Sequence, residues 1–150
     1  MRLTSFTDLG LRIVMRLAVL DDDETATTSQ LAGQLNVSYN HAVKVVAALQ
    51  RAGIVATTRG RAGGLRLAEG ARQSSIGALV RLLEGDDEVI ECEGTNPCPL
   101  RTACRLRSAL RRAQQAFFAE LDPLTIGDVI APPTQALLLS IGVGAAGTDA

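Results

Sequence analysis

Tryptophan is absent from this chain, and one tyrosine and three phenylalanines are its whole aromatic complement. The apolar content is mostly Leu, Val and Ala, which favours helix packed on helix over a β-sandwich. No apolar run is long enough to cross a bilayer. The opening stretch is broken by Arg2, Asp8, Arg12 and Arg16, so it does not read as a secretory signal. A cytoplasmic protein with no membrane contact is expected. Histidine occurs once, as His41. There is no nucleophile elbow, P-loop or paired-carboxylate site, so the chain is not expected to be an enzyme. Cysteine occurs three times. An odd number fits poorly with a disulfide framework and better with ligation.

The small net charge of −1 conceals a strong local asymmetry. Residues 38–75 carry Lys44, Arg51, Arg59, Arg61, Arg66 and Arg72 against Glu69 alone. Residues 76–100 carry Arg81 against Glu84, Asp86, Asp87, Glu88, Glu91 and Glu93. A basic block is followed by an acidic one, and a nucleic-acid face needs only a local positive patch. The acidic run is expected to be a solvated loop.

Phe6, Leu9, Ile13, Leu17 and Leu20 recur at helical spacing and predict a first amphipathic helix. Ser5-Phe6-Thr7-Asp8 reads as its capping box. Thr27 and Gln30 box a short second helix, and Asn36-Val37-Ser38 forms a turn. Ser38 then caps a third helix, Tyr39 to about Ala52, which Gly53 stops. Two helices joined by such a turn make a helix-turn-helix. The β-branched segment Ile54–Thr58, the turn Arg59-Gly60-Arg61-Ala62-Gly63-Gly64 and the strand Leu65-Arg66-Leu67 form a basic hairpin. A helix-turn-helix followed at once by such a hairpin is a winged helix, and its glycines and arginines suit close approach to phosphate or a groove.

A fourth helix is expected from Ser75 through Leu83, then a Gly/Pro/Asn-marked loop to Cys104, then a fifth helix to Leu121. Leu106, Leu110, Ala113, Phe117 and Leu121 repeat at about 3.5 residues, a seam assigned to dimerisation. A short helical piece follows at 124–130. The expected fold is mainly α: a winged helix-turn-helix with a long C-terminal dimerisation helix. Its units are a DNA-binding domain at 1–75, a cluster-binding loop and dimer helix at 76–131, and a partly disordered tail at 132–150.

Cys92, Cys98 and Cys104 lie within 13 residues in that kinked loop and can converge on one centre. Soft thiolates suit an iron–sulfur cluster, which usually takes four of them. Only three exist, so a fourth ligand comes from another residue type, solvent or another chain. An exchangeable fourth ligand suits a sensor. Structural zinc and metal-free redox thiols are the alternatives, although the C-x5-C-x5-C spacing departs from the usual C-x2–4-C pairs of zinc.

Three stretches then resemble one family: Phe6-Thr7-Asp8-Leu9-Gly10-Leu11-Arg12, the wing Arg59–Leu65, and Cys92-x5-Cys98-Pro99-x4-Cys104. They are similar to the NsrR and IscR family of winged-helix repressors, most of all to its nitric-oxide-sensing branch, over nearly all the chain before Ala131. The resemblance implies a homodimeric repressor with one cluster per subunit, [4Fe–4S] in preference to [2Fe–2S], whose reaction with nitric oxide lowers operator affinity. A same-fold sensor of redox state or cluster supply is the alternative. IscR-like members carry a His three residues after the last Cys; Arg107 stands there instead. NsrR-like members use an N-terminal Asp from the other subunit, which Asp8 matches; by local sequence alone Asp8 only completes a capping box. Arg12, one turn on, stands beside the cluster or on a solvated face.

The start of the third helix is expected in the major groove of a pseudo-palindromic double-stranded operator. Asn40 would read adenine, and Ser38, Tyr39 and Lys44 would contact phosphate. His41 would contact base or backbone, or lie free on the surface. Thr28 would donate to phosphate, and Arg59 and Arg61 would reach the backbone or minor groove.

Overall fold

The computed structural model describes residues 2–61, 63–85 and 87–144. Its elements are α1 (Ser5–Ala18), α2 (Thr28–Gln34), α3 (Tyr39–Arg51), β1 (Val55–Thr58), β2 (Gly64–Leu67), a 3-10 turn at Ala71–Gln73, α4 (Ile76–Glu84), α5 (Arg105–Leu121), α6 (Ile126–Val129) and α7 (Thr134–Gly144). The mainly helical winged-helix expectation is borne out.

α1 forms as its apolar spacing requires, with Leu9, Ile13, Val14 and Leu17 buried. Its cap lies one residue earlier than expected. Thr4, not Ser5, is the N-cap, and its hydroxyl accepts from Thr7 N–H at 3.3 Å. The third helical position is therefore Thr7, and Asp8 belongs to no capping box. α2 carries the expected reciprocal box, with Thr27 Oγ1 accepting from Gln30 N–H at 3.1 Å and Gln30 Oε1 from Thr27 N–H at 2.8 Å. Ser38 caps α3 through His41 N–H at 3.3 Å. Gly53 follows α3 at φ +72°, the left-handed conformation that ends a helix.

The hairpin is antiparallel, with Val55 opposite Leu67 and Thr58 opposite Gly64. Ala26, just before α2, exchanges bonds with Leu65 at 3.0 and 2.8 Å and fastens the wing to the helix-turn-helix. The core runs from Leu9 through Leu31, Val45, Leu49 and Val55 to Leu79, Val80, Phe118 and Ile126. α1 crosses α4 so closely that a Cβ on Gly10 would stand 2.5 Å from Leu83 Cδ1.

Two expectations need correction. The seam of α5 is not wholly free for a partner: Phe117 and Leu121 pack on the chain's own core beside buried Phe118, while Leu106 is 63% exposed. The segment after Pro133 opens with a helix: α7 buries Leu138 in the core against α1 and α2. The apolar run 136–141, which shows no amphipathic alternation, gave no sign of this. The Gly/Ala-rich end after Ile141 is expected to be disordered, but α7 continues through Gly144; residues 145–150 lie outside the described residues.

Candidate metal centre and nucleic-acid interface

α3 presents its first turn outward because its other face is taken by the core, where Ala42, Val45, Val46 and Leu49 are buried. Ser38, Tyr39, Asn40 and Lys44 are exposed, Tyr39 to 56%. Val43 is also exposed on this turn, an apolar neighbour of the polar set. Arg59 and Arg61 are exposed at the hairpin, and Thr28 is half-buried at the start of α2. The structure thus gathers the start of α2, the start of α3 and the wing within one helix-turn-helix and hairpin unit. His41 is the exception to a simple outward face. It is half-buried, and its ring stands 6.4 Å from that of Phe6 on α1.

The described residues of the loop between α4 and α5 form no helix or strand, so side chains and turns hold it. Cys98 N–H donates to the carbonyl of Cys92 at 3.0 Å, and Arg101 N–H to that of Cys98 at 3.2 Å. Cys104 is the N-cap of α5, its Sγ accepting from Arg107 N–H at 3.3 Å. All three cysteines are free thiols; Cys92 is buried and the other two half-buried. Burial pushes the Cys92 thiol up, Arg107 pulls it back, and nearby Cys98, Glu88 and Cys104 add to the rise. The three thiols thus share one loop, in which a backbone bond ties Cys98 to Cys92 and Cys104 closes the far end as the cap of α5. Among the described residues, no three His, Cys, Asp or Glu side chains converge on a single-ion position. The donor chemistry fits a polynuclear iron–sulfur group, whose thiolates each bind a different iron.

The acidic stretch is not a purely solvated loop. Glu88 takes Arg107 Nε at 2.7 Å and also pairs with Arg111. Glu93 takes Arg107 Nη1 at 2.8 Å and Arg101 Nε at 3.5 Å. Glu88 is pushed down to about 2 by these arginines, Arg107 first. Glu84, at the end of α4, accepts from Thr4 N–H and from the hydroxyls of Thr4 and Thr7 on α1. Sequence reasoning missed these partners because they are 80 and 19 residues apart. Asp8 and Arg12 face each other one turn apart as a half-exposed ion pair. Neither touches the cysteine loop of its own chain by any described hydrogen bond or ion pair.

A helix-turn-helix with a basic wing, joined through a three-cysteine loop to a long helix, defines a winged-helix DNA-binding regulator. The chain belongs to the Rrf2 family of iron-dependent transcriptional regulators, which it matches over residues 3–132. It is similar to the HTH-type transcriptional repressor NsrR of Streptomyces coelicolor, 56% identical over 142 residues, covering 94% of this chain and 96% of that one. It is also similar to the regulator NsrR of Halalkalibacterium halodurans, 39% identical over 132 residues, covering 87% and 90%. In fold it resembles T. potens IscR (TM-score 0.72, 20% identity, 91% and 90% covered) and CymR, the global cysteine regulator of B. subtilis (TM-score 0.68, 24% identity, 86% and 95% covered). These relatives are transcription regulators, and the expectation that the chain is not an enzyme stands on that kinship. No helix among the described residues is long and apolar enough to cross a membrane.

Proposed function

We propose that the chain is a cytoplasmic, homodimeric repressor that binds a pseudo-palindromic operator and releases it when nitric oxide reacts with an iron–sulfur cluster on Cys92, Cys98 and Cys104. The observation that carries this reading is the placement of three free thiols in one clamped loop between α4 and α5, with Cys98 tied to Cys92 by a backbone bond and Cys104 capping α5. The chain's kinship to two NsrR regulators supports the signal. When bound, the cluster supplies iron that a small reactive gas can attack. [4Fe–4S] is the proposed form, one per subunit, with [2Fe–2S] as the alternative.

The chain's own residues divide the work at about residue 75. Asp8 is free to leave Arg12, because an exposed ion pair contributes only about 0–1 kcal/mol. Its carboxylate can then serve as the fourth ligand to the partner subunit's loop, leaving Arg12 as a nearby cation. α1, which carries Asp8, also touches the recognition helix through Phe6 and His41. A shift of α1 is therefore felt at α3. Asn40 is assigned to a base edge, and Ser38, Tyr39, Lys44, Thr28, Arg59 and Arg61 to the backbone or minor groove, with His41 turned partly inward. The exposed N-terminal part of α5, Leu106 to Ala113, is assigned to the partner's matching helix. A coupling of about 1–3 kcal/mol would change affinity about 5- to 150-fold.

The test is anaerobic purification with iron, sulfide and zinc analysis, then operator binding before and after nitric oxide. About four irons and four sulfides per chain, with loss of binding on nitrosylation, is the expected result. About two of each would move the signal toward redox or cluster supply. Zinc without sulfide would end the cluster reading and leave a DNA-binding protein with a structural metal. Unchanged binding by the nitrosylated protein would end the nitric-oxide reading.

A further inference from the structure

Arg107 ties the first part of the cysteine loop to its last. Its side chain is only 17% exposed. Nε and Nη2 donate to the two carboxylate oxygens of Glu88, at 2.7 and 3.1 Å. Nη1 donates to Glu93 at 2.8 Å and to the carbonyl of Arg101 at 3.5 Å. Its backbone N–H donates to Cys104 Sγ at 3.3 Å. One residue therefore reaches the chain before Cys92, just after Cys92, before Cys104 and Cys104 itself. The bond to Cys104 is made by the backbone and would survive a substitution; the contacts to Glu88, Glu93 and Arg101 need a planar fork with several fixed donors, a geometry an ammonium lacks.

The charges around it are also uneven. Glu88 is shared by Arg107 and Arg111, and Glu93 by Arg107 and Arg101. The network holds one more cation than anion. Arg107 is the cation of this network that lines the same cavity as Cys92. The cavity here, about 600 Å³, is otherwise lined by Asp87, Glu88, Glu91 and Glu93, with Ile90, beside Cys92. Without a cation, three thiolates would enter a negative site.

We propose that Arg107 is the positioning residue of the cysteine loop: it holds the loop in its ligand-ready shape before the cluster arrives and supplies the positive charge that the thiolates require. This rests on the cluster reading above.

The experiment uses the full-length protein in two states. In the metal-free protein, amide hydrogen exchange is followed over residues 88–104 for the native chain, Arg107→Lys, Arg107→Gln and Glu93→Gln. The expected result is exchange about tenfold faster in Arg107→Gln and in Arg107→Lys, with a smaller rise in Glu93→Gln, which keeps the Glu88 limb. Exchange in α3 and β1 should stay native, which shows that the fold persists. In the reconstituted protein, the cluster midpoint potential is measured for the same set. Arg107→Gln should fall to lower potential, and Arg107→Lys, which keeps the charge, should stay near the native value. Native loop exchange in both Arg107 variants would overturn the positioning role, and native potential in Arg107→Gln would overturn the charge role. If the native chain takes up no iron and sulfide, the cluster reading fails by itself, and the metal-free exchange still decides whether Arg107 orders the loop.

Discussion

Glu84, the last residue of α4, holds the first turn of α1 by accepting from the backbone N–H of Thr4, at 3.1 and 3.0 Å from its two carboxylate oxygens. Hydroxyls of Thr4 and buried Thr7 complete the contact. A helix N-terminus has unpaired N–H groups and a positive dipole end, so a carboxylate from another helix suits it on both counts. The bond also joins the element that leads into the cysteine loop to the helix that carries Asp8.

Replacing Glu84 with Gln keeps the shape and removes the charge. The expected loss is about 1–2 kcal/mol, read as a lower urea midpoint, because hydrogen bonds to a charged group are the stronger kind and this one is partly solvated. The Glu84 pKa is held below its ordinary value, chiefly by the Thr7 hydroxyl. Its stabilisation is therefore complete above the ordinary carboxylate range and fades as pH falls through the lowered pKa. The native chain should lose its advantage over Glu84→Gln in strong acid; an equal gap at all pH values would contradict the assignment.

Asp8→Ala should separate a ligand from a structural residue. The Asp8–Arg12 pair is about half-exposed on both sides and caps nothing. Its loss should cost about 0.5 kcal/mol or less in the metal-free protein. In the reconstituted protein the same change should alter the visible spectrum and slow the response to nitric oxide. A variant with a native spectrum and native reaction rate would remove Asp8 from the ligand set.

Glu88 offers a site-specific check on the loop. Its carboxyl is pushed down to about 2, by Arg107 first and Arg111 next. In the metal-free protein, a carbon-detected titration should find it ionised through the whole ordinary range and protonating only near pH 2. In Arg107→Gln its midpoint should climb, because the larger cause is gone. An ordinary Glu88 titration in the native chain would mean that the loop clamp is absent in solution.

The sequence made the winged helix legible because local rules and tertiary packing agree there. Thr27 with Gln30, Ser38 and Gly53 mark helix ends that the packing also needs, and period and capping point to the same boundaries. The loop was legible only as a ligand set. What holds it, Arg107 on Glu88 and Glu93, depends on α5 returning beside the loop, which no periodicity encodes. The cap of α1 misled for a related reason: Ser5 and Asp8 have the right spacing, but Glu84, 80 residues away, reaches Thr4 and the helix starts there. α7 was hidden because its apolar run has no polar face.

The nucleic-acid face predicts two different responses. Arg61→Ala and Arg59→Ala should weaken operator and non-specific DNA alike and flatten the salt dependence, because exposed wing arginines meet phosphate or a groove without reading a unique base. Asn40→Ala should cost about 1–3 kcal/mol on the operator and relax the preference at one base pair, as expected of a side chain reading adenine. Competition binding over a set of operator variants at two salt concentrations tells these apart. An Asn40→Ala variant that weakens all sequences equally would move Asn40 to the backbone class.

α7 makes two opposite predictions from neighbouring contacts. Leu138 is buried in the core, so Leu138→Ala should cost about 2–3 kcal/mol in a urea melt. Arg16 lies beneath the same helix, 6% exposed, against Gly142, where a Cβ would meet Arg16 Nη2 at 2.1 Å. Its Nε donates to Gln34 Oε1 at 3.0 Å, but Nη1 is buried with no hydrogen-bond partner. Burial also pushes its pKa down. Among the described residues the guanidinium makes one side-chain hydrogen bond, to Gln34, with Glu24 as its nearby opposite charge, and a buried unsatisfied N–H is costly, whereas an unbranched apolar side chain of similar length fills the same space. Arg16→Met should therefore be neutral or stabilising by up to about 2 kcal/mol. A clear loss of stability in that variant would show that α7 gives the guanidinium a partner in solution.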